Sequence, residues 1–282
     1  MKERSMTLRL VEDRLARAVG IGVISVLFSA LLLIVYYVTS GALSHFSWDM
    51  LTTFGNTTSG GILNAIIGTW LLIGISTATS FPLGLVTAIY LSEYRGRLSG
   101  LIRLSIDVLA SVPSMVLGLF GYLVYVIYLG MGFSLLAGGL TLSLMMVPYV
   151  ARSSEIAFLN VPKELREAAY ALGATKWQYV SRVLLRAAWP LVASGVVLSS
   201  SIAAGETAQL LYTAGWNTGL PSALTRSQVP YLTYVVWSGI NQPSAYANGL
   251  AYVSAEVLIV TVFSLMVLSK VLERRGIAWK RS

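Results

Sequence analysis

Six apolar runs limit what this chain can fold into more than any single motif does. They are Val19–Val38, Ile62–Leu91, Leu104–Leu129, Phe133–Ala151, Trp189–Thr213 and Gly249–Ser269. A helix needs about 20 apolar residues to cross a bilayer core. In hydrocarbon the backbone must satisfy its own hydrogen bonds, so spans of this kind are helices. The expectation is an all-α polytopic membrane protein with six transmembrane helices. A composition of 56% hydrophobic and 11% charged residues excludes a disordered chain and argues against an ordinary soluble one. The first run is too long for a secretory signal and lacks a small-residue cleavage site. Cysteine is absent and His45 is the only histidine, placed in a polar loop and given no role. Neither H-E-x-x-H nor a phosphate-binding G-x-x-x-x-G-K-[ST] occurs, so no metal, cofactor or enzyme activity is expected of this chain.

The net charge of +8 follows the same six runs. Lys and Arg number 5 in the N-terminal tail, 3 in Glu93–Arg103, 6 in Arg152–Arg186 and 5 from Lys270 onward, leaving only Arg226 for the other face. Cations collect on the cytoplasmic side of membrane proteins. Both termini and the Arg152–Arg186 segment are therefore expected in the cytoplasm. The basic charge is read as topology and attraction to membrane lipids, not as a nucleic-acid surface. The chain divides into a tail (1–18), a membrane domain (19–270) with a cytoplasmic loop (152–186), and a second tail (271–282). Pro82, Pro113 and Pro148 each free a carbonyl inside a span, and broken helices often line transport routes. Small residues such as Gly118, Gly121, Gly138 and Gly139 suit close helix packing.

The polar island Arg152–Arg186 reads as two short helices. Pro162 suits a first helical turn, Lys163 to Leu172 has no breaker, and Gly173 suits a left-handed stop. Thr175 and Gln178 have capping-box spacing, with a second helix to about Leu185. An amphipathic knob of this kind, shallow at Ala168 and Ala169, fits a groove on a partner. The run resembles the E-A-A-x3-G-x9-I-x-L-P signature of ABC-importer permeases, here Glu167-Ala168-Ala169, Gly173, Val183 and Leu185, with Arg186 in place of the Pro and Pro190 one turn later. The resemblance implies a MetI-like permease fold and makes these six residues the segment that docks on a cytoplasmic ATPase dimer.

Acids in or beside the spans are Asp107, expected to pair with Arg103, Glu256, open to bonding a neighbouring helix, and Glu206. A carboxylate as deep as Glu206 is costly and functional by default. No Lys or Arg of this chain lies at comparable depth, so a partner cation would come from another subunit. The surrounding Gly205-Glu206-Thr207-Ala208-Gln209-Leu210-Leu211-Tyr212-Thr213-Ala214 resembles the G-E-T-A-P-L-L-F-T-A run of phosphate ABC-transporter permeases of the PstA type. Gly61–Thr69, Ala88–Tyr94 and Ile106–Ser114 resemble the same family, so the likeness is nearly continuous from 60 to 215. Two departures are Ile202, where the family carries Arg, and Gln209, where it carries Pro.

That resemblance implies the permease of an ATP-driven phosphate importer in the inner membrane. Its partners would be a second homologous permease in a heterodimer, two ATPase subunits and an extracytoplasmic phosphate-binding protein. The path would involve Glu206, Thr207, Ser199, Ser200, Ser201, Pro113 and Ser114. Alternatives are another oxyanion (molybdate, sulfate or phosphonate) or a non-transporting membrane scaffold. A membrane-embedded enzyme has no catalytic constellation to support it.

Overall fold

The computed structural model describes residues 2–55, 59–94 and 96–278, with side chains from 12 to 276. Arg95, Lys280 and Arg281, and the side chains of Lys2, Arg4 and Arg9, all counted above, lie outside what is described.

The described chain is helical apart from its connecting loops, the longest of which is 214–231. Its elements are α1 (Lys2–His45), α2 (Trp48–Thr52), α3 (Leu63–Ile89), α4 (Ser99–Ser111), α5 (Ser114–Gly121), α6 (Leu135–Leu159), α7 (Lys163–Ala171), α8 (Lys176–Gln178), α9 (Leu185–Ala204), α10 (Ala208–Thr213), α11 (Leu232–Ile240) and α12 (Ala245–Ala278). Wider π turns extend α3 through Tyr90–Tyr94, extend α5 through Tyr122–Tyr128 and join α8 to α9 through Tyr179–Leu184. Among the described residues five helices are long and apolar enough to cross a membrane, and the bent pair α4–α5 makes a sixth if it counts as one span.

The apolar runs locate these helices well, but several boundaries differ. α1 continues to His45, seven residues past Val38, because nothing in Thr39–Ser44 breaks it. His45 therefore ends a helix, stacked near Tyr252 with ring centroids 6.3 Å apart. The third run does not form one straight helix: α4 and the extended α5 meet at 100°. The cause is Pro113, which holds Val112 extended at φ −68°, ψ 127°. The fifth run stops at Ala204, and Gly205-Glu206-Thr207 separates it from α10. The helix expected to end near Leu185 instead runs on through the π turn as one helix, Lys176–Ala204. The polar segment 214–248, between the fifth and sixth apolar runs, carries α11 and returns to the core. Val229, Tyr231 and Leu232 are buried there, and the Leu232 N–H donates to Thr69 Oγ1 at 2.9 Å.

α3, α6 and α9 form the centre, with α12 against α9, α11 against α12 and α1 against α12. Close approach depends on missing side chains: a Cβ on Gly84 would lie 2.6 Å from Val150 Cγ1, and one on Gly195 would lie 2.2 Å from Ser153 Oγ. This is the packing expected where lipid offers no hydrophobic drive between helices. α1 stands apart. Its apolar side chains are exposed up to Tyr37, as a lipid-facing helix requires. Near its end, Thr39 Oγ1 donates to Glu256 at 2.9 Å, which answers the open role of that acid, and Tyr252 donates to the Tyr37 hydroxyl at 3.0 Å.

Candidate functional site

Two places collect the residues singled out from the sequence. The first is the α7–α8 hairpin. α7 ends in a Schellman motif: Ala174 N–H donates to Ala169 O at 3.1 Å and Gly173 N–H to Tyr170 O at 3.0 Å. Gly173 takes φ 77°, the left-handed conformation that a residue without Cβ adopts freely. Thr175 N–H then donates to Gln178 Oε1 at 2.8 Å, and Gln178 N–H to Thr175 Oγ1 at 3.3 Å, completing the expected capping box.

The hairpin has two faces. Glu167, Ala168 and Gly173 are exposed, whereas Ala169 is buried and Val183 and Leu185 are half-buried. Ala169 joins Tyr179, Val180, Leu184, Ala88 and Phe158 in a core that glues the hairpin to α3, α6 and α9, with Val183 and Leu185 against its edge. The tip presents Leu172 at 89% exposure and Trp177 at 69%. Exposed apolar side chains of this size at a rigid tip mark a contact surface.

The base of the hairpin is held by charges that the sequence reading missed. Glu93, in the π turn after α3, has a side chain only 3% exposed, and it pairs with Arg166 of α7. Arg166 also lies over the Tyr179 ring at 5.3 Å. The guanidinium is pushed above its ordinary pKa, first by Tyr179 and also by Glu93, against the opposing effect of burial. On the other arm, Lys176 sits 3.9 Å from the Tyr94 ring centroid. A second buried acid, Glu155 of α6, is also 3% exposed and pairs with Arg103 of α4 and, at 3.4 Å, with Arg152. Asp107 pairs with Arg152 at 3.5 Å, not with Arg103 as expected. Arg103 is drawn to the buried carboxylate instead, where an uncompensated charge would cost most. Sequence offered one signal for both acids, a carboxylate within a turn or two of a span end. Register alone does not name the partner.

The second place is the break between α9 and α10. Glu206 is half-buried there, and its backbone carbonyl accepts from Thr233 Oγ1 at 3.0 Å. Among the described residues no cation pairs with its carboxylate. Thr207 is half-buried at the start of α10, and Ile202 is half-buried one turn before Glu206. Ser199, Ser200 and Ser201 are buried and donate to carbonyls of their own helix, at 2.9, 2.9 and 2.7 Å. Ser200 also shares a 2.9 Å hydrogen bond with Thr77 of α3. Their hydroxyl protons are thus held within α9, and only Ser200 ties it to a second helix. Pro113 is exposed at the α4–α5 bend and Ser114 half-buried beside it. α5 reaches this break, because a Cβ on Gly118 would lie 2.9 Å from Gln209 Cα. Gln209 is fully buried, with its Nε2 donating to Met145 Sδ at 3.2 Å and its Oε1 unbonded.

The fold is that of importer permeases. It superposes on a MetNI methionine ABC transporter in an inward-facing conformation with a TM-score of 0.60 at 20% identity, covering 76% of this chain and 95% of that one. A crystal structure of an amino acid ABC transporter with histidines gives a TM-score of 0.57 at 20% identity, covering 76% and 92%.

The sequence makes the assignment narrower: residues 80–276 match the model of the binding-protein-dependent transport system inner membrane component, and the chain belongs to that family. It is the transmembrane component of such a transporter, not its ATPase, and membership implies a binding protein and an ATPase as partners. It is 39% identical over 267 residues to the phosphate transport system permease protein PstA 2 of Mycobacterium bovis, covering 94% of this chain and 88% of the relative. It is 38% identical over 219 residues to PstA of Yersinia pestis, covering 77% and 74%. It is 31% identical over 241 residues to the probable ABC transporter permease protein YqgI of Bacillus subtilis, covering 84% and 78%.

Proposed function

We propose that this chain is the membrane-spanning permease of an ATP-driven importer of inorganic phosphate. The similarity to PstA proteins over most of the chain supports the substrate. The Gly205-Glu206-Thr207 break carries the reading, since a half-buried carboxylate with no cation beside it among the described residues lies in the run that resembles phosphate permeases. A second, homologous permease supplies the missing cation and completes the path, in which Glu206, Thr207, Pro113 and Ser114 take part. Ser199, Ser200 and Ser201 support that path from within the helix packing.

The α7–α8 hairpin is the ATPase-docking segment. Leu172 and Trp177, with Glu167 and Ala168, enter a groove on the ATPase, while Ala169, Gly173, Val183 and Leu185 hold the hairpin's shape. Hairpin and termini face the cytoplasm, following the distribution of Lys and Arg. An extracytoplasmic phosphate-binding protein delivers the substrate to the opposite end.

The test is uptake of labelled phosphate by cells that lack their own high-affinity system and carry this chain with its partner subunits. Saturable uptake that excess unlabelled phosphate abolishes, and that excess sulfate or molybdate leaves intact, is the expected result. Ile202 and Gln209 stand where relatives of the PstA type carry Arg and Pro, so a retuned oxyanion is the second reading. Absence of saturable phosphate uptake, with saturable uptake of labelled sulfate or molybdate by the same cells, would establish it.

A further inference from the structure

Both arms of the hairpin are fastened to one place, the π turn that ends α3. Glu93 and Tyr94 are consecutive in that turn. Glu93 takes Arg166 from α7, and Tyr94 takes Lys176 from α8, at 3.9 Å from its ring. Tyr179, 2% exposed, fills the space beneath, with Arg166 over one side of its ring and Tyr170 at 5.5 Å between centroids. The tip residues Leu172 and Trp177 are left free.

We infer that Glu93 is a positioning residue for energy coupling: with Arg166, Tyr94 and Lys176 it clasps the hairpin to α3, so that the two move as one body. The inference rests on the reading of this hairpin as the ATPase-docking segment. Its physical basis is the burial of the Glu93 carboxylate. Any arrangement in which α7 parts from α3 leaves that charge buried without a partner, which is far more costly than losing an exposed pair. The clasp therefore penalises slippage at the joint, whatever it adds to stability. α3 extends the linkage inward. Its Thr77 shares a 2.9 Å hydrogen bond with Ser200 of α9, within two turns of the Glu206 break. A push on the tip thus reaches α9 directly, along the helix Lys176–Ala204, and the clasp makes α3 move with it.

The chain has no cysteine, so one placed at exposed Val86, near the end of α3, carries a unique spin label. The Val86→Cys chain is assembled with its partner permease and ATPase in lipid, and the label's response to ATP is recorded with hydrolysis blocked. No transported substrate is added, so an error in the substrate assignment leaves this experiment intact. Glu93→Gln and Arg166→Gln should each raise the ATP concentration for half-response by roughly tenfold, with the ATPase still co-purifying. The double variant should be no worse than either single, and the exchange Glu93→Arg with Arg166→Glu should recover much of the response. Single variants that respond like the Val86→Cys background, or whose losses add in the double, overturn the clasp. So does loss of the ATPase from the singles that the exchange fails to restore, since the pair would then serve folding alone. A background with no response to ATP overturns the docking reading and the clasp with it.

Discussion

Glu206 and Glu256 are visible in the sequence because each interrupts an apolar run, and the bilayer makes such a charge conspicuous. Glu93 and Glu155 sit among other polar residues, where nothing in the sequence distinguishes a buried carboxylate from a solvated one. Burial and the partner arginines make them matter. Arg103→Ala is expected to destabilise the protein by about 2 kcal/mol, below the cost for a fully buried pair because Arg103 is 41% exposed and Arg152 still reaches Glu155. Thermal unfolding in detergent, compared with Arg17→Ala as an exposed-pair control, checks this. For Glu206, a charge role predicts that Glu206→Gln loses phosphate uptake while the ATPase still co-purifies. Near-normal uptake at equal expression would leave Glu206 as a protonated packing group. Rescue of the lost uptake by neutralising an Arg of the partner permease would identify its cation.

At the scale of elements, the hairpin was legible in detail because caps are local chemistry. Gly173, Thr175 and Gln178 act through bonds to residues within a few positions of themselves. Gly173→Val places a β-branched side chain at φ 77° and should cost about 1–2 kcal/mol locally. Transport should fall with membrane insertion retained, as followed by uptake and by the amount of protein in the membrane fraction. Leu172→Ser touches no core residue and should leave thermal unfolding unchanged. If the tip docks in the ATPase, that change or Trp177→Ser should weaken co-purification by about 2 kcal/mol, the range of an interface hot spot. The bend at Pro113 was only half legible. A proline marks a break, but its 100° angle depends on how α4 and α5 pack against α6.

For the whole molecule, the distribution of cations sets the orientation proposed above. A single cysteine in place of exposed Ser222 should react with an impermeant thiol reagent in intact cells, and one in place of Ala174 should react only after lysis. The chain has no cysteine of its own, so labelling reports only the engineered site. The reverse pattern would invert the orientation and with it the placing of the ATPase.

The sequence by itself determined that this chain is a bundle of membrane helices, where most of them lie, and that a capped hairpin joins two of them. Each of these follows from local quantities: the length of an apolar run, a left-handed glycine, a hydroxyl three residues from its acceptor. Tertiary structure decided what depends on distant residues meeting. It returned Val229–Leu232 to the core beside α3, broke the fifth run at Gly205, and tied the Ser200 hydroxyl to Thr77 of α3. It also set Glu93 against Arg166, 73 residues away, a pairing that the packing of α3 against α6 and the turn into α7 made possible.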